Sequence, residues 1–246
     1  MIHTSKAGNN PMIKAVLFDL DGTLVDTAPD LIAALNLSLA EYHYPQVPLD
    51  EVRHTASNGS LAMVNAVQPN ITAAEQINIQ QGLLRHYVQV NGQDSQLFDG
   101  IAALLDYLDL QSIPYGIVTN KPARFSRPLL DILGLTARMK TVISGDSTRA
   151  LKPDAAPMLL AAQQIGCAPE HILYLGDAER DLVAAANTQM LGAIAMWGYI
   201  DHDAKPELWP QDYAFHSPQN VVAILTHQGV NSPIWADDFL VGGSQK

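Results

Sequence analysis

Two aspartates lie one residue apart, directly after a short apolar run near the start of the chain. Asp19 and Asp21 follow Ala15–Phe18, and Gly22 and Thr23 come next. The β-branched and aromatic residues in the run predict a buried strand. Ligands bind where the strands of a parallel sheet end, and period-two alternation places both carboxylates on one side of the strand. Like charges so close are tolerated around a cation or a shared proton, so the pair predicts a cation or proton-transfer site.

The glycine after this pair adds a second chemical feature. Gly22 can turn the backbone tightly and present its N–H to an anion. The plainer interpretation is an ordinary Asp-Gly turn, with the acids capping the strand. Three later segments of the chain favour a ligand-binding or catalytic role for these residues over an ordinary turn.

Two of these segments end in groups that suit phosphate oxygens. Thr119 and Asn120 follow the apolar run Tyr115–Val118. A hydroxyl and successive backbone N–H groups can hold phosphate oxygens. Lys152, which follows the apolar pair 142–143 and a polar linker, adds a compact positive charge. Each signal alone is weak, because Thr-Asn after a strand is often a turn and most lysines lie at the surface.

The remaining segment carries two more carboxylates. An apolar run ends in Gly176 and Asp177, and Asp181 lies four residues further on, at the start of a predicted helix over residues 182–187. The i, i+4 spacing places both carboxylates on one side of a first helical turn. Asp177 is therefore well placed to bind a cation through oxygen. The alternative for Asp181 is an acid that complements the helix dipole.

Taken in order, these four strand ends resemble the haloacid dehalogenase superfamily of phosphotransferases. The resemblance covers residues 12–220. Within the superfamily, Asp19-Leu-Asp-Gly-Thr-Leu-Val-Asp-Thr and Thr119-Asn-Lys-Pro are typical of the phosphoglycolate phosphatase-like group. The stretch Trp197-Gly-Tyr-Ile, followed by Pro206 and Trp209, is similar to a bacterial branch that includes N-acetylmuramic acid 6-phosphate phosphatases.

The resemblance implies a phosphomonoesterase that works through an aspartyl-phosphate intermediate. Asp19 is the implied nucleophile, and Asp21 is the implied general acid and base. The implied cofactor is Mg²⁺, held by the Asp19 carboxylate, the Asp21 backbone carbonyl, Asp177 and waters, with Asp181 in the outer shell. Oxygen ligands and retained waters suit Mg²⁺ better than zinc.

The same resemblance implies which groups bind the transferring phosphate. They are Gly22, Thr119, Asn120 and Lys152, together with backbone N–H groups after Asp21 and Thr119. Phosphoglycolate is the first expected substrate, and N-acetylmuramic acid 6-phosphate or a broad range of sugar phosphates are the alternatives. A carbon–halogen substrate is disfavoured, because dehalogenases of this superfamily usually lack an acid at the position of Asp21.

Other functions share part of this pattern. Receiver domains also combine an acidic cluster, a phosphoacceptor aspartate, a threonine and a lysine, but they need neither Asp21 nor a helical insertion. A mutase of the β-phosphoglucomutase type would share the carboxylates and transfer phosphate to a sugar instead of water. A binding protein with an inactive site is the third alternative, and the complete motif set disfavours it.

Outside residues 27–96, predicted helices and strands alternate along the chain. This alternation predicts an α/β fold with a doubly wound parallel sheet. Helices are predicted over residues 101–110, 125–133, 155–165 and 182–187, and strands over 15–18, 115–118, 141–143, 172–175 and 192–196. Residues 12–26 and 97–228 would form this discontinuous core, and residues 1–11 and 229–246 would be peripheral tails.

The remaining segment, residues 27–96, has the character of a helical insertion. Apolar spacing predicts helices over residues 28–42, 61–67 and 73–90. The resemblance implies a cap that closes over the substrate, with hinges near residues 25–26 and 97–100. The cap would also present residues that select the substrate, although the same residues fit an ordinary connection between helices equally well. The candidate specificity residues are Arg53, Ser57, Asn58, Gly59 and, in the core, Lys121.

The composition and net charge of the chain limit the kinds of molecule that it is expected to bind. The chain has 246 residues, a net charge of −11 and a pI near 4.9. Nucleic acid and anionic membrane surfaces are disfavoured, because both need a basic footprint. The single cysteine, Cys167, excludes an intramolecular disulfide, and we expect a reducing, cytoplasmic setting. A small phosphorylated metabolite is the expected partner, and the chain is expected to be a monomer or a homodimer.

Overall fold

The computed structural model describes residues 12–201 and 203–228. The predicted tails, residues 1–11 and 229–246, lie outside the described residues, as does residue 202. Strands and helices alternate through most of the described chain. The strands are β1 (Ala15–Phe18), β2 (Val25–Asp26), β3 (Gln96–Leu97), β4 (Tyr115–Val118), β5 (Thr141–Ile143), β6 (Ile172–Gly176), β7 (Leu191–Ala195) and β8 (Tyr213–Phe215).

The helices fall into an inserted group and a group that flanks the sheet. The inserted helices are α1 (Ala28–Glu41), α2 (Leu49–Val52), α3 (Ser60–Val67) and α4 (Ala73–Val90). The flanking helices are α5 (Ile101–Leu110), α6 (Ala123–Ile132), α7 (Ala155–Ile165), α8 (Glu179–Asn187) and α9 (Pro218–Thr226). Among the described residues, no helix is long and apolar enough to cross a membrane.

Within the described chain, six parallel strands form one sheet in the order β5-β4-β1-β6-β7-β8. Side chains alternate between its faces as the strand period requires. Val16 and Phe18 join an apolar cluster with α5, α6 and α9, whereas Ala15 and Leu17 join one with α7 and α8. Helices on both faces confirm the predicted doubly wound α/β class.

The central position of β1 determines where the chemistry can occur. β1 pairs with β4 on one side and β6 on the other, with Phe18 beside both Ile117 and Leu175. Because these strands are parallel, the polar residues that follow β1, β4 and β6 emerge together at one edge of the sheet.

Helices α1 to α4 form a separate apolar cluster between β2 and β3. Leu35, Leu39, Met63 and Leu83 are fully buried within it. The short strands β2 and β3 pair in antiparallel fashion where the chain leaves and re-enters the sheet domain. Asp30 of α1 fixes the segment between α4 and β3, because its buried carboxylate accepts hydrogen bonds from the backbone N–H groups of residues 92, 94 and 95.

Several local predictions differ from the structure. The helix α2 and a 3-10 turn over Arg53–Asn58 occupy a stretch for which no helix was predicted. The strand β8 and the helix α9 were not expected, although Ser217 and Pro218 form a good helix start. α8 begins at Glu179 instead of residue 182, because the acids of its first turn complement the helix N-terminus.

Candidate active site

Three buried carboxylates meet at the carboxyl edge of the sheet. Asp19, Asp177 and Asp181 each offer an oxygen, and these oxygens lie within 4.8 Å of one another. All three side chains are almost completely removed from solvent. The structure therefore brings together the acids that follow β1 and β6, as the parallel sheet predicts.

Each carboxylate is held by the backbone around it. The Asp19 N–H donates to the Leu175 carbonyl at 2.8 Å, which anchors the end of β1 against β6. The Leu20 N–H donates to Asp19 Oδ1 at 2.7 Å. The Ala178 N–H donates to Asp181 Oδ2 at 3.1 Å, as the first turn of α8 requires. Side-chain orientation is therefore set before any ligand binds.

Lys152 provides the positive charge inside this cluster. Its side chain is fully buried, and Nζ lies 3.0 Å from Asp19 Oδ1 and 2.8 Å from Asp181 Oδ1. Nζ also donates to the Val118 carbonyl at 2.8 Å and to the Tyr174 hydroxyl at 2.7 Å. The lysine predicted to bind phosphate thus lies beside the predicted nucleophile.

Burial and mutual repulsion raise the proton affinity of the cluster. Burial, followed by the charges of Asp181 and Asp19, raises the pKa of Asp177 to about 7. Burial also raises the pKa of Asp181, although Lys152 opposes the shift. Asp177 accepts hydrogen bonds at Oδ2, but its buried Oδ1 has no hydrogen-bond partner. A positive charge close to this unpartnered oxygen would therefore stabilise the ionised form of Asp177.

Asp21 stands apart from the three clustered acids. Its carboxylate pairs with Lys121 Nζ at 2.8 Å and accepts a hydrogen bond from the Thr27 hydroxyl at 2.6 Å. Burial lowers the pKa of Lys121, but the charge of Asp21, together with Tyr87 and the hydrogen bonds to both, outweighs burial and raises this pKa above its usual value. Tyr87 of α4 covers the ammonium group, 4.6 Å from its ring centre. Lys121, expected to select substrate, instead contacts the predicted general acid.

Three residues predicted to bind phosphate differ in whether their polar groups already have partners within the protein. Thr119 is buried directly after β4, and its hydroxyl oxygen accepts the Lys121 N–H at 3.2 Å. The Gly22 N–H donates to the Val25 carbonyl at 3.0 Å, because it closes the turn after β1, so it is not free for an anion. The Asn120 side-chain amide is also engaged, since it exchanges hydrogen bonds with the backbone of Lys152 at 2.9 and 3.0 Å.

Gly22 is nevertheless required at its position for another reason. Its φ is +77°, and a Cβ there would collide with the Asp177 carboxylate. Close approach to the acidic cluster, rather than anion binding through its N–H, explains this glycine.

The predicted specificity residues of the insertion separate into two groups. Ser57 donates from its hydroxyl to Asp177 Oδ2 at 2.7 Å, and Asn58 lines the adjoining cavity. Arg53 instead forms an ion pair with Asp26 at 2.6 Å and stacks 5.3 Å from the Tyr199 ring centre. Gly59 directly precedes α3, has a φ of +90° and is not part of the cavity wall.

A cavity of about 490 Å³ opens beside Asp177, between the helical insertion and the segment after β7. Residues without an assigned role in the sequence-based predictions line much of it. Arg180 lies next to the cluster, with Nη2 4.0 Å from Asp19 Oδ2. Tyr199 donates its N–H to Asp177 at 2.8 Å and its hydroxyl to Asp26 at 2.6 Å. Arg180 falls within the Gly-Asp-x-x-x-Asp motif, which was the available signal for it.

Comparisons with known proteins agree with this geometry. A family model described as haloacid dehalogenase-like hydrolase matches residues 16–194. The chain belongs to the haloacid dehalogenase-like hydrolase family. A phosphoglycolate phosphatase of Xanthomonas campestris is 38% identical over 205 residues, which cover 83% of this chain and 93% of that protein. An N-acetylmuramic acid 6-phosphate phosphatase of Pseudomonas aeruginosa is 35% identical over 214 residues, which cover 87% and 95% of the two chains.

The structural comparison gives the same family. A crystal structure described as a predicted phosphoglycolate phosphatase from Haemophilus somnus matches with a TM-score of 0.76 at 26% identity. The match covers 86% of this chain and 97% of that chain. The resemblance inferred from the four motifs is confirmed, and this haloacid dehalogenase-like hydrolase is a phosphatase.

The donor set of this phosphatase fits a divalent cation. Asp19 and Asp177 are buried oxygen donors beside each other, and the unpartnered Asp177 Oδ1 leaves one acceptor for an ion. Oxygen-only donors from carboxylates suit Mg²⁺, which binds few protein groups and retains waters. The residues present therefore fit the cofactor that the sequence implied.

We predict that Mg²⁺ stabilises the fold more at about pH 8 than at about pH 5. Without an ion, folded Asp177 keeps a proton up to about pH 7, whereas an unfolded aspartate releases it near pH 4. The free energy of unfolding should therefore fall as the pH rises through this window. Mg²⁺ binds the ionised form, and saturation to about a hundred times Kd should raise Tm by about 5–10 °C at the higher pH.

Differential scanning fluorimetry with and without Mg²⁺ at both pH values measures this effect. Asp181→Asn should reduce the Mg²⁺-dependent rise, whereas the exposed Asp99→Asn should leave it unchanged. An equal or smaller rise at the higher pH would contradict the assignment of these acids to an ion.

Proposed function

We propose that this phosphatase is a Mg²⁺-dependent phosphomonoesterase that transfers the phosphoryl group first to Asp19 and then to water. One arrangement carries the proposal: a buried carboxylate, Asp19, clusters with a buried lysine and two further carboxylates, while Asp21, two residues further on, has separate partners. This division supplies a nucleophile and a proton-transfer group within one turn of chain.

Asp19 is the proposed nucleophile because its position is rigid and its surroundings can neutralise an incoming phosphate. The oxygen Oδ1 is engaged by the Leu20 N–H and by Lys152, which leaves Oδ2 to attack phosphorus. The phosphoryl–oxygen bond to the leaving group breaks as the bond to Asp19 forms. Positioning and charge neutralisation are most of what phosphoryl transfer requires.

Lys152 and Thr119 are the proposed partners of the transferring oxygens. Both are buried at the ends of strands or loops that meet at Asp19. Asn120 supports this arrangement indirectly, because its amide holds the backbone of Lys152. Removing one such positioned donor can raise a reaction barrier by about 3–4 kcal/mol.

Asp21 is the proposed general acid and then general base. In the first step it gives a proton to the leaving alkoxide, and in the second it takes a proton from the attacking water. Thr27 and Lys121 hold its carboxylate in place. Thr27 directly precedes α1, and its hydroxyl donates to Asp21 instead of capping the helix.

Asp19, Asp177 and the Asp21 carbonyl would hold the Mg²⁺, and bound Mg²⁺ would offset the negative charge of the phosphate and the acids. We place Asp181 in the outer shell, because its two oxygens already contact Lys152 and the Ala178 N–H. The free Oδ1 of Asp177 supports a direct role for that residue.

We propose that α1 to α4 act as the cap. Ser57 contacts Asp177 and Tyr87 covers Lys121, so this layer closes the polar edge of the sheet from above. β2 and β3 are the short double crossing about which it would hinge. Closure would exclude water and strengthen the electrostatic contacts inside.

Two relatives suggest two substrates, phosphoglycolate and N-acetylmuramic acid 6-phosphate. The cavity of about 490 Å³ favours the second, because a volume of this order holds sugar-sized ligands and exceeds the needs of a two-carbon acid. Phosphoglycolate is the second candidate. The single cysteine and the acidic charge support the proposal of a cytoplasmic enzyme that does not bind nucleic acid or membranes.

We predict that Asp19→Asn abolishes turnover, with a loss of at least about a thousandfold, because an amide cannot act as the nucleophile. Phosphate release from both candidate substrates, with and without Mg²⁺, provides the measurement. Circular dichroism should show a folded variant, and the exposed Asp99→Asn serves as the matched control. A folded Asp19→Asn protein with a near-native rate would remove Asp19 from this role.

We predict that the effect of Asp21→Asn depends on the leaving group. With p-nitrophenyl phosphate as substrate, p-nitrophenolate leaves without needing a proton. The rate of the first release of p-nitrophenol should therefore be unchanged, while later turnovers slow. An alkyl phosphate needs the proton, so its first turnover should slow by about 10²–10⁴-fold. Rapid-quench measurement of the first turnover separates the two steps. Equal losses of first-turnover rate for both esters would argue against Asp21 as the general acid.

A further inference from the structure

The cavity beside the acidic cluster contains cationic groups that the proposed reaction does not use. Arg180 contributes a guanidinium group whose side chain is 25% exposed, and its nearest ion-pair distance is 4.0 Å to Asp19. Lys205 lines the same cavity and is exposed, and among the described residues none forms an ion pair with it. Two cations therefore line a cavity whose wall includes Asp177 of the acidic cluster.

The remaining wall of the cavity has a mixed character. Leu208 is exposed and stands beside Trp209, which gives an apolar and aromatic surface. Carboxylates also line it, from Glu179, Asp201 and Asp203. These acids disfavour a ligand with several negative charges at this end, but they can accept hydrogen bonds from hydroxyl and amide groups.

We propose that Arg180 and Lys205 bind a carboxylate on the leaving group, in a subsite formed mainly by the sheet domain rather than by the cap. The expected ligand is a phosphorylated sugar acid: its phosphate lies at Asp19, its hydroxyl groups meet the cavity acids, and its apolar face contacts Trp209. The inference rests on the proposed phosphatase reaction and assigns the residues that select among its substrates.

The position of Arg180 favours this role over a contact with the transferring phosphate alone. Asp181 and Lys152 already surround one side of Asp19. Arg180, one residue before Asp181, lies on the cavity side. A guanidinium group has several N–H donors in a planar fork and can hold a carboxylate through paired hydrogen bonds.

The test compares two sugar phosphates that differ by one acidic group. N-acetylmuramic acid 6-phosphate carries a carboxylate on a lactyl ether, and N-acetylglucosamine 6-phosphate has a hydroxyl group at that position. The kcat/KM ratio of the pair is measured for the full-length protein with Mg²⁺ and for Arg180→Gln, Arg180→Lys and Lys205→Gln. Lys140→Gln, an exposed lysine at the opposite edge of the sheet, is the matched control.

We expect Arg180→Gln to lower the preference for the acidic sugar by about tenfold to a hundredfold, because a charge-assisted pair is lost. Lys205→Gln should lower it by about twofold to fivefold, since this lysine is exposed. Arg180→Lys should recover part of the preference, and Lys140→Gln should keep it. Calorimetric Kd values in an Asp19→Asn background should show the same order without turnover.

Other outcomes would overturn the proposal in distinguishable ways. Equal losses on both sugars would place Arg180 on the transferring phosphate, and an unchanged ratio in both Arg180→Gln and Lys205→Gln would remove the subsite. Phosphate release from neither sugar nor phosphoglycolate by the unaltered protein would overturn the proposed function and this inference together.

Discussion

Three carboxylates buried against one another impose the constraint on which the rest of this site depends. Asp19, Asp177 and Asp181 would repel strongly in a medium from which water is excluded. Lys152 offsets part of this repulsion, and a divalent cation would offset more. A parallel sheet can sustain the arrangement because backbone hydrogen bonds fix each strand end, whatever charge follows it. The folded scaffold thus holds the acids in an arrangement that favours the binding of a cation.

The acidic cluster also links the two parts of the molecule. Asp177 accepts hydrogen bonds from Ser57 of the inserted helices and from the backbone of Tyr199 in the segment after β7. Tyr199 in turn donates to Asp26, which pairs with Arg53. A chain of short polar contacts therefore runs from a proposed metal ligand to the crossing between the sheet and the helices. Movement of the helices would change the surroundings of Asp177 directly.

Much of this could be read from the sequence, because the relevant signals were local. Apolar runs that end in acids located Asp19 and Asp177, and the parallel sheet requires such ends to meet. The outcome for Gly22 and Asn120 depended on turn geometry, since their hydrogen bonds go to the backbone of Val25 and Lys152. Arg180 was missed because its direction depends on where α8 begins, which is difficult to predict to within a turn.

The most direct test of the central claim is to identify the residue that carries phosphate during turnover. The protein is mixed with Mg²⁺ and substrate, quenched in acid within one turnover, digested and analysed by mass spectrometry. The account predicts one added phosphoryl group on the peptide that contains Asp19, and its loss when the reaction runs to completion. A phosphoryl group on another residue, or turnover with no phosphorylated protein at any quench time, would contradict it.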